Sequence, residues 1–270
     1  MCVETVRLDV LTQQQFGLSA EEANGLIMAG RIWIGHVPAD KPGTPVAANT
    51  VLTMVEKARK YASRSGYKLA KALQVFDVDP HGLTVCDIGA SNGGFTDCLL
   101  QNGATHVFAV DVAYGILAWE LRNSDKVTVL ERTNARNLTT EQLGGTICDM
   151  VTADVSFISL KKIYPAIRRV LKEDGLCITL VKPQFEAQQR QLGKNGVLKD
   201  PADLPPLLCS LFDEAANHGL YLLDLTVSPI HGTNGNVEYL AKYGPAPVLD
   251  EAARDALIDR VLREIPDSDK

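Results

Sequence analysis

From Leu83 onward the chain alternates short apolar runs with segments of helical periodicity, a pattern that few folds accept. We read strands at Leu83–Ile88, His106–Asp111, Val127–Leu130, Met150–Asp154, Leu176–Lys182, Tyr221–Ser228 and Val237–Tyr243. Helices fall around Gly94–Gln101, Gly115–Arg122, Leu160–Val170 and Leu204–His218. The first five strands are mostly continuous apolar runs, as expected of a parallel sheet covered on both faces. The last two have no helix between them. This predicts an α/β, Rossmann-like sheet of seven strands. Before it, Leu69, Ala72, Leu73 and Phe76 share one face of a helix spanning about Gly66–Phe76.

Composition limits what else the chain can be. At 270 residues, 46% hydrophobic and 22% charged, it has the make-up of a globular protein with a sizeable core. Apolar stretches such as Leu176–Val181 are far shorter than the ~20 residues a membrane-crossing helix needs. Glu4 and Asp9 come too early for a secretory signal, so the expected location is the cytoplasm, with no stable membrane association. Six cysteines occur without a CxxC pair. We read Cys86, Cys98, Cys148 and Cys177 as small core residues and expect no metal site.

The net charge of −6 is unevenly spread. Asp250–Lys270 holds seven acids and four bases, whereas Lys57–Phe76 holds six bases and no acid. We therefore divide the chain into a small unit at 1–56, a basic linker at 57–64, a large domain at 65–248 and an acidic helix and tail at 249–270, the helix spanning about Leu249–Leu262. In the small unit, Gly17 ends a helix over Val6–Phe16, and Ser19 with Glu22 fits a capping box for a second over Ala23–Ala29. Short extended runs follow at Arg31–Ile34 and Val51–Val55. No nucleophile–base set lies among these residues, which suits a binding module.

The first strand of the large domain ends in Asp87-Ile88-Gly89-Ala90-Ser91-Asn92-Gly93-Gly94-Phe95-Thr96. Such glycines let the backbone turn sharply and approach a ligand closely. Nicotinamide, flavin and methyl-transfer enzymes all use loops of this kind. Here an acid, Asp87, stands where a dinucleotide fingerprint has its first glycine. A carboxylate facing the loop would repel a pyrophosphate and suit the cationic end of S-adenosylmethionine. The second strand ends in Asp111, placed to bind two ribose hydroxyls, and Asn134 follows the third, where it would face adenine. We expect S-adenosylmethionine to be held by Asp87, Gly89, Ser91, Gly93, Gly94, Asp111 and Asn134.

Four ionisable residues lie where this architecture gathers its functional groups. Lys68 is on the leading helix, and Asp154 and Lys182 end the fourth and fifth strands. Glu238 lies in Gly235-Asn236-Val237-Glu238. A lysine closing an apolar strand is the hardest of these to dismiss as a surface charge.

Taken together, Ser63-Arg64-Ser65-Gly66-Tyr67-Lys68-Leu69, Asp87–Asp97, Ala109–Val112, Leu130–Arg136, Val181-Lys182-Pro183-Gln184-Phe185-Glu186 and Gly235–Glu238 resemble the TlyA family over about residues 3–243. That family carries a haemolysin name but consists of FtsJ-like ribosomal RNA 2′-O-methyltransferases with an N-terminal S4 RNA-binding domain. Arg7-Leu8-Asp9, Leu26–Gly30 and Asp40-Lys41-Pro42-Gly43 carry the S4 likeness, over about residues 3–56. Ser65 departs from the family pattern, which has glycine there.

The resemblance implies a class I methyltransferase sheet behind an α+β S4 domain, and a catalytic tetrad of Lys68, Asp154, Lys182 and Glu238. It implies 2′-O-methylation of ribose, on a cytidine of ribosomal RNA or of ribosomal subunits, with Lys182 as general base. Arg7, Arg31, Lys41, Lys57, Arg59, Lys60 and Arg64 are the expected RNA contacts, with Tyr61 and Tyr67 able to stack on bases. Gln188–Asp200 reads as a mobile basic loop near the site. Two other readings compete: a non-catalytic RNA-binding assembly factor, which methyl transfer would exclude, and a membrane-lytic protein, which the lack of long apolar segments disfavours.

Overall fold

The computed structural model describes residues 5–28, 30–35, 37–39, 41–55, 60–232 and 235–264. The chain divides into two units, Met1–Arg64 and Ser65–Lys270.

In the first unit, β1 (Thr5–Arg7) runs directly into α1 (Leu8–Phe16), which Gly17 closes at a left-handed φ of 67°. The Ser19–Glu22 box opens α2 (Ala20–Met28). Glu22 N donates to Ser19 Oγ (3.2 Å), and Ser19 N donates to the Glu22 carboxylate (2.9 Å). Four short strands follow: β2 (Ile32–Ile34), β3 (Val37–Pro38), β4 (Pro45–Ala47) and β5 (Leu52–Met54). β1 pairs with β4, and β2 lies between β3 and β5. Leu8, Leu11, Ile27, Ile32, Ala39 and Leu52 form the core. Strands β1, β3 and β4 escape the sequence reading, and Val6 and Arg7, read as the start of the first helix, belong to β1.

The second unit opens with α3 (Ser65–Val75) and continues through β6 (Thr84–Ile88), α4 (Gly94–Gln101), β7 (His106–Val110), α5 (Trp119–Arg122) and β8 (Val127–Leu130). After these come β9 (Cys148–Ala153), α6 (Tyr164–Val170), β10 (Leu171–Val181), α7 (Pro183–Glu186) and α8 (Leu204–Asn217). The unit ends with β11 (Tyr221–Val227), β12 (Tyr239–Gly244) and α9 (Glu251–Arg263). The seven strands lie in the order β11-β12-β10-β9-β6-β7-β8. β12 is antiparallel to both neighbours and all other pairs are parallel.

This is the seven-stranded α/β sheet expected from the sequence. One face, with Cys86, Ile88, Val151 and Val181, packs with Ile167, Phe212 and Val261 of α6, α8 and α9. The other lies against α4, and α3 packs on α4 and β12. Strand order reverses between β6 and β9, and ligands bind beyond the strand ends at such a point.

Three elements differ from expectation. The helix predicted over Gly115–Arg122 shrinks to α5, because Gly115 is left-handed (φ 74°) and Ala118 extended. The segment Leu160–Val170 splits into a 3-10 turn, Leu160–Lys162, and α6, whose first turn holds Pro165. β10 begins earlier than predicted and carries an irregularity between Leu171 and Leu176. Among the described residues, no helix is long and apolar enough to cross a membrane.

Candidate active site

The carboxyl ends of β6, β7 and β9 open on a pocket of about 390 Å³, within the range of small-molecule sites. Gly89, Ser91, Asp111, Asn134 and Asp154 are among its walls, with Val112, Ile116 and Ile158 supplying apolar surface. Gly89 is required there. At φ 83° a side chain would be strained, and a Cβ would lie 2.3 Å from the carbonyl oxygen of Asp154. Gly93 (φ 93°) and Gly94 start α4 instead of lining the pocket, and a Cβ on Gly93 would strike Leu117 and Leu121.

Asp111 accepts from the backbone N–H groups of Ser91 (2.7 Å) and Ala113 (2.8 Å). Those bonds leave acceptor capacity for a diol. Asn134 Oδ1 accepts from Arg136 N at 3.1 Å, while the residue forms part of the wall. An acidic acceptor, apolar flanks and this volume fit the ribose and adenine of S-adenosylmethionine.

Asp87 requires a correction. Its carboxylate does not face the loop's ligand side: it is fully buried and accepts from Thr96 Oγ1 (2.7 Å) and Thr152 Oγ1 (2.8 Å). The cause is strand alternation. Cys86 and Ile88 occupy the α6–α8 face, which turns Asp87 toward α4, and Thr152 lies directly across the β6–β9 pair. Burial raises its carboxyl from 3.8 to about 6, against the pull of the two hydroxyls. Asp87 pins the loop from below.

The four expected catalytic groups form two ion pairs. Lys68 on α3 reaches Glu238, just before β12, with Nζ 2.5 Å from Oε2; the two residues are 9% and 3% exposed. Lys182, immediately after β10 and 8% exposed, lies 2.5 Å from Asp154 Oδ1 and donates to Ser156 Oγ at 2.8 Å. Despite the close ion pair, Asp154 Oδ1 accepts no well-directed hydrogen bond. The structure joins the pairs through the sheet, since Val181 registers with Tyr239 and the next positions are Lys182 and Glu238. Lys71, one turn beyond Lys68, donates to Val227 O (2.6 Å) and ties α3 to β11.

Sequence reasoning missed Ser156 and Phe157, both in the pocket wall. Phe157 is 92% exposed and held at φ 62°, unusual for an aromatic residue. Their nearness to Asp154 in sequence was the available signal. Thr96 and Thr152 were missed because only register shows what they bind.

The expected RNA contacts have mixed surroundings. Arg7 is exposed and forks onto Asp9, with Nε 3.0 Å from Oδ1 and NH2 2.6 Å from Oδ2. Arg31 donates to Val55 O (2.9 Å), and Lys41 is exposed. Arg64 is half-buried, and Lys57 and Arg59 lie outside the described residues. The Lys60 ammonium sits 5.0 Å from the Tyr61 ring centroid, and Tyr61 is only 4% exposed. Burial removes that ring from the expected base stacking, while Tyr67 is half-buried. The basic segment 188–200 is organised as a small hairpin: Leu192 bridges Leu198, and Gly193 N donates to Val197 O (2.8 Å). Among the described residues, no three His, Cys, Asp or Glu side chains are grouped to hold a metal ion.

Comparison with known proteins gives the geometry a context. The profile of the FtsJ-like methyltransferases matches residues 61–244. The chain is 44% identical over 230 residues to the 16S/23S rRNA (cytidine-2′-O)-methyltransferase TlyA of Mycobacterium tuberculosis, covering 85% of each. It is 35% identical to Hemolysin A of Brachyspira hyodysenteriae over 88% of this chain and 99% of that one. A solved structure from Streptococcus thermophilus that carries a haemolysin name superimposes with a TM-score of 0.74 at 35% identity, over 97% and 98% of the two chains.

Proposed function

Because the chain belongs to the TlyA family of FtsJ-like methyltransferases, we propose that it transfers a methyl group from S-adenosylmethionine to the ribose 2′-oxygen of a cytidine in ribosomal RNA. The observation that carries the roles is the placement of Lys182: both of its polar partners, Asp154 and Ser156, also line the cofactor-sized pocket.

In this reading Asp111 binds the ribose diol of the cofactor, the Gly89–Ser91 backbone follows its amino-acid portion and Asn134 meets its base. When bound, the cofactor supplies an electrophilic methyl carbon and a sulfonium that leaves as a neutral thioether. Lys182 Nζ takes the proton of the 2′-hydroxyl, and the oxygen forms its bond to carbon as the carbon–sulfur bond breaks. Lys182 must be a neutral amine to accept that proton. Asp154 and Ser156 fix the direction of its side chain. Lys68 and Glu238 hold the other side of the site. The exposed ring of Phe157 offers a surface on which the cytosine stacks.

The first unit acts as an RNA-capture module. Its support is the S4 likeness of Arg7–Asp9 and Leu26–Gly30 and the absence of a nucleophile–base set. Action on ribosomal RNA places the enzyme in the cytoplasm. Incubation of ribosomal RNA and isolated subunits with methyl-labelled S-adenosylmethionine, followed by mapping of 2′-O-methylated positions, tests the proposal. Label on a cytidine ribose is expected; label confined to base carbons or nitrogens contradicts it.

A further inference from the structure

The turn Lys182-Pro183-Gln184-Phe185-Glu186 contains two residues, Phe185 and Glu186, that base catalysis leaves unused. Both reach back to the segment that leaves β9. The Phe185 ring lies 5.2 Å from that of Phe157, centroid to centroid, at an interplanar angle of 48°. The Glu186 carboxyl accepts from Ser159 Oγ at 2.5 Å and from Leu160 N at 2.8 Å. Lys182 itself is bound to Asp154 and Ser156. The segments that follow β9 and β10 are thus joined at three successive levels, and neither Ser159 nor Glu186 is among the pocket's lining residues.

Glu186 is half-buried. Burial pushes its carboxyl above the usual carboxylate range, opposed by the bonds from Ser159 and Leu160. A carboxylate bonded by both donors favours the one spacing of the segments that supplies them together. Ser159 in turn caps the 3-10 turn at Leu160–Lys162, accepting from Lys161 N at 3.1 Å. Its position therefore sets where the segment 154–159 ends.

We infer that Glu186 is a positioning residue: it fixes the separation of the two segments and so holds Asp154 and Ser156 against the Lys182 amine. The inference rests on the reading of Lys182 as the base. Displacement of a reacting group by ~1 Å costs on the order of 10²-fold in rate, so loosening this tie is visible in turnover even though Glu186 does not itself touch the substrate.

The test compares the full-length wild type with Glu186→Ala and Glu186→Gln. The glutamine keeps a carbonyl acceptor for Leu160 N–H and sets its amide beside Ser159 Oγ. Single-turnover methylation of ribosomal RNA, binding of S-adenosylhomocysteine and RNA, and hydrogen exchange over residues 155–160 are measured for each. The alanine variant is expected to lose about 10–100-fold in rate with both affinities within about 3-fold of wild type, and the glutamine to recover most of the loss. Exchange should quicken at Leu160 and its neighbours while the sheet stays protected. An alanine variant with a wild-type rate overturns the inference. So does a loss of rate that runs in parallel with weakened S-adenosylhomocysteine binding and sheet-wide exchange. If the wild type does not methylate RNA, the proposed function fails instead, and the exchange measurement alone decides whether Glu186 holds the segment.

Discussion

Lys182 and Glu238 are the first residues beyond the paired ends of β10 and β12, where Val181 registers with Tyr239. That single register sets the pair Lys182–Asp154 and the pair Lys68–Glu238, drawn from distant parts of the sequence, at the same end of neighbouring strands.

The Lys68–Glu238 pair is deep enough for its loss to be costly from one side only. Glu238→Ala leaves a buried ammonium without its counter-charge, which costs about 3–5 kcal/mol. Replacing both, as Lys68→Met with Glu238→Leu, removes the unpaired charge and should be less destabilising than Glu238→Ala. Urea unfolding of the three proteins checks this. A double variant at least as unstable as Glu238→Ala would show that packing, not charge, governs the pair.

Asp87 gives the fold a pH dependence with a defined sign. Its folded carboxyl titrates near 6, against 3.8 for the ordinary group, so the folded state prefers the protonated form. The associated destabilisation is absent below about pH 4, grows as pH rises and is complete above about pH 6, reaching roughly 3 kcal/mol at 1.36 kcal/mol per pH unit. Asp87→Asn has no carboxyl to titrate there and lacks this destabilisation. The stability of wild type relative to Asp87→Asn should therefore fall between pH 4 and 7 in denaturant titrations. A difference that stays flat contradicts the assignment.

Much of this was legible in the sequence because strong periods and strand ends carried it. Mostly continuous apolar runs marked the first five strands, and Asp111, Asp154 and Lys182 sit at strand ends where chemistry collects. What stayed hidden depended on which way a side chain turns. Asp87 looked like a ligand for the cofactor, and only alternation along β6, with Thr152 across from it, turns it inward. Tyr61 read as a stacking residue in a basic stretch, yet it is buried. Local sequence showed neither the left-handed backbone at Phe157 nor the tie from Glu186 to Ser159, since both arise from two segments meeting in space.

If the first unit captures RNA through its cations, those exposed to solvent set part of the salt dependence of binding. Arg7→Gln with Lys41→Gln should weaken RNA binding and lower the slope of log affinity against log salt by roughly 0.7–0.9 for each phosphate that is no longer neutralised. Cofactor binding should not change. Filter binding across a salt series measures it, and an unchanged slope would remove these residues from the interface.

The central claim is that Lys182 accepts the proton of the 2′-hydroxyl, and the single-turnover methylation rate of Lys182→Arg tests it most directly. An arginine keeps the charge beside Asp154 but cannot take a proton. The arginine variant should lose about 10²–10⁴-fold in rate, with S-adenosylhomocysteine and RNA binding retained. An arginine variant that turns over at nearly the wild-type rate would contradict the claim and leave Lys182 as a positioning charge.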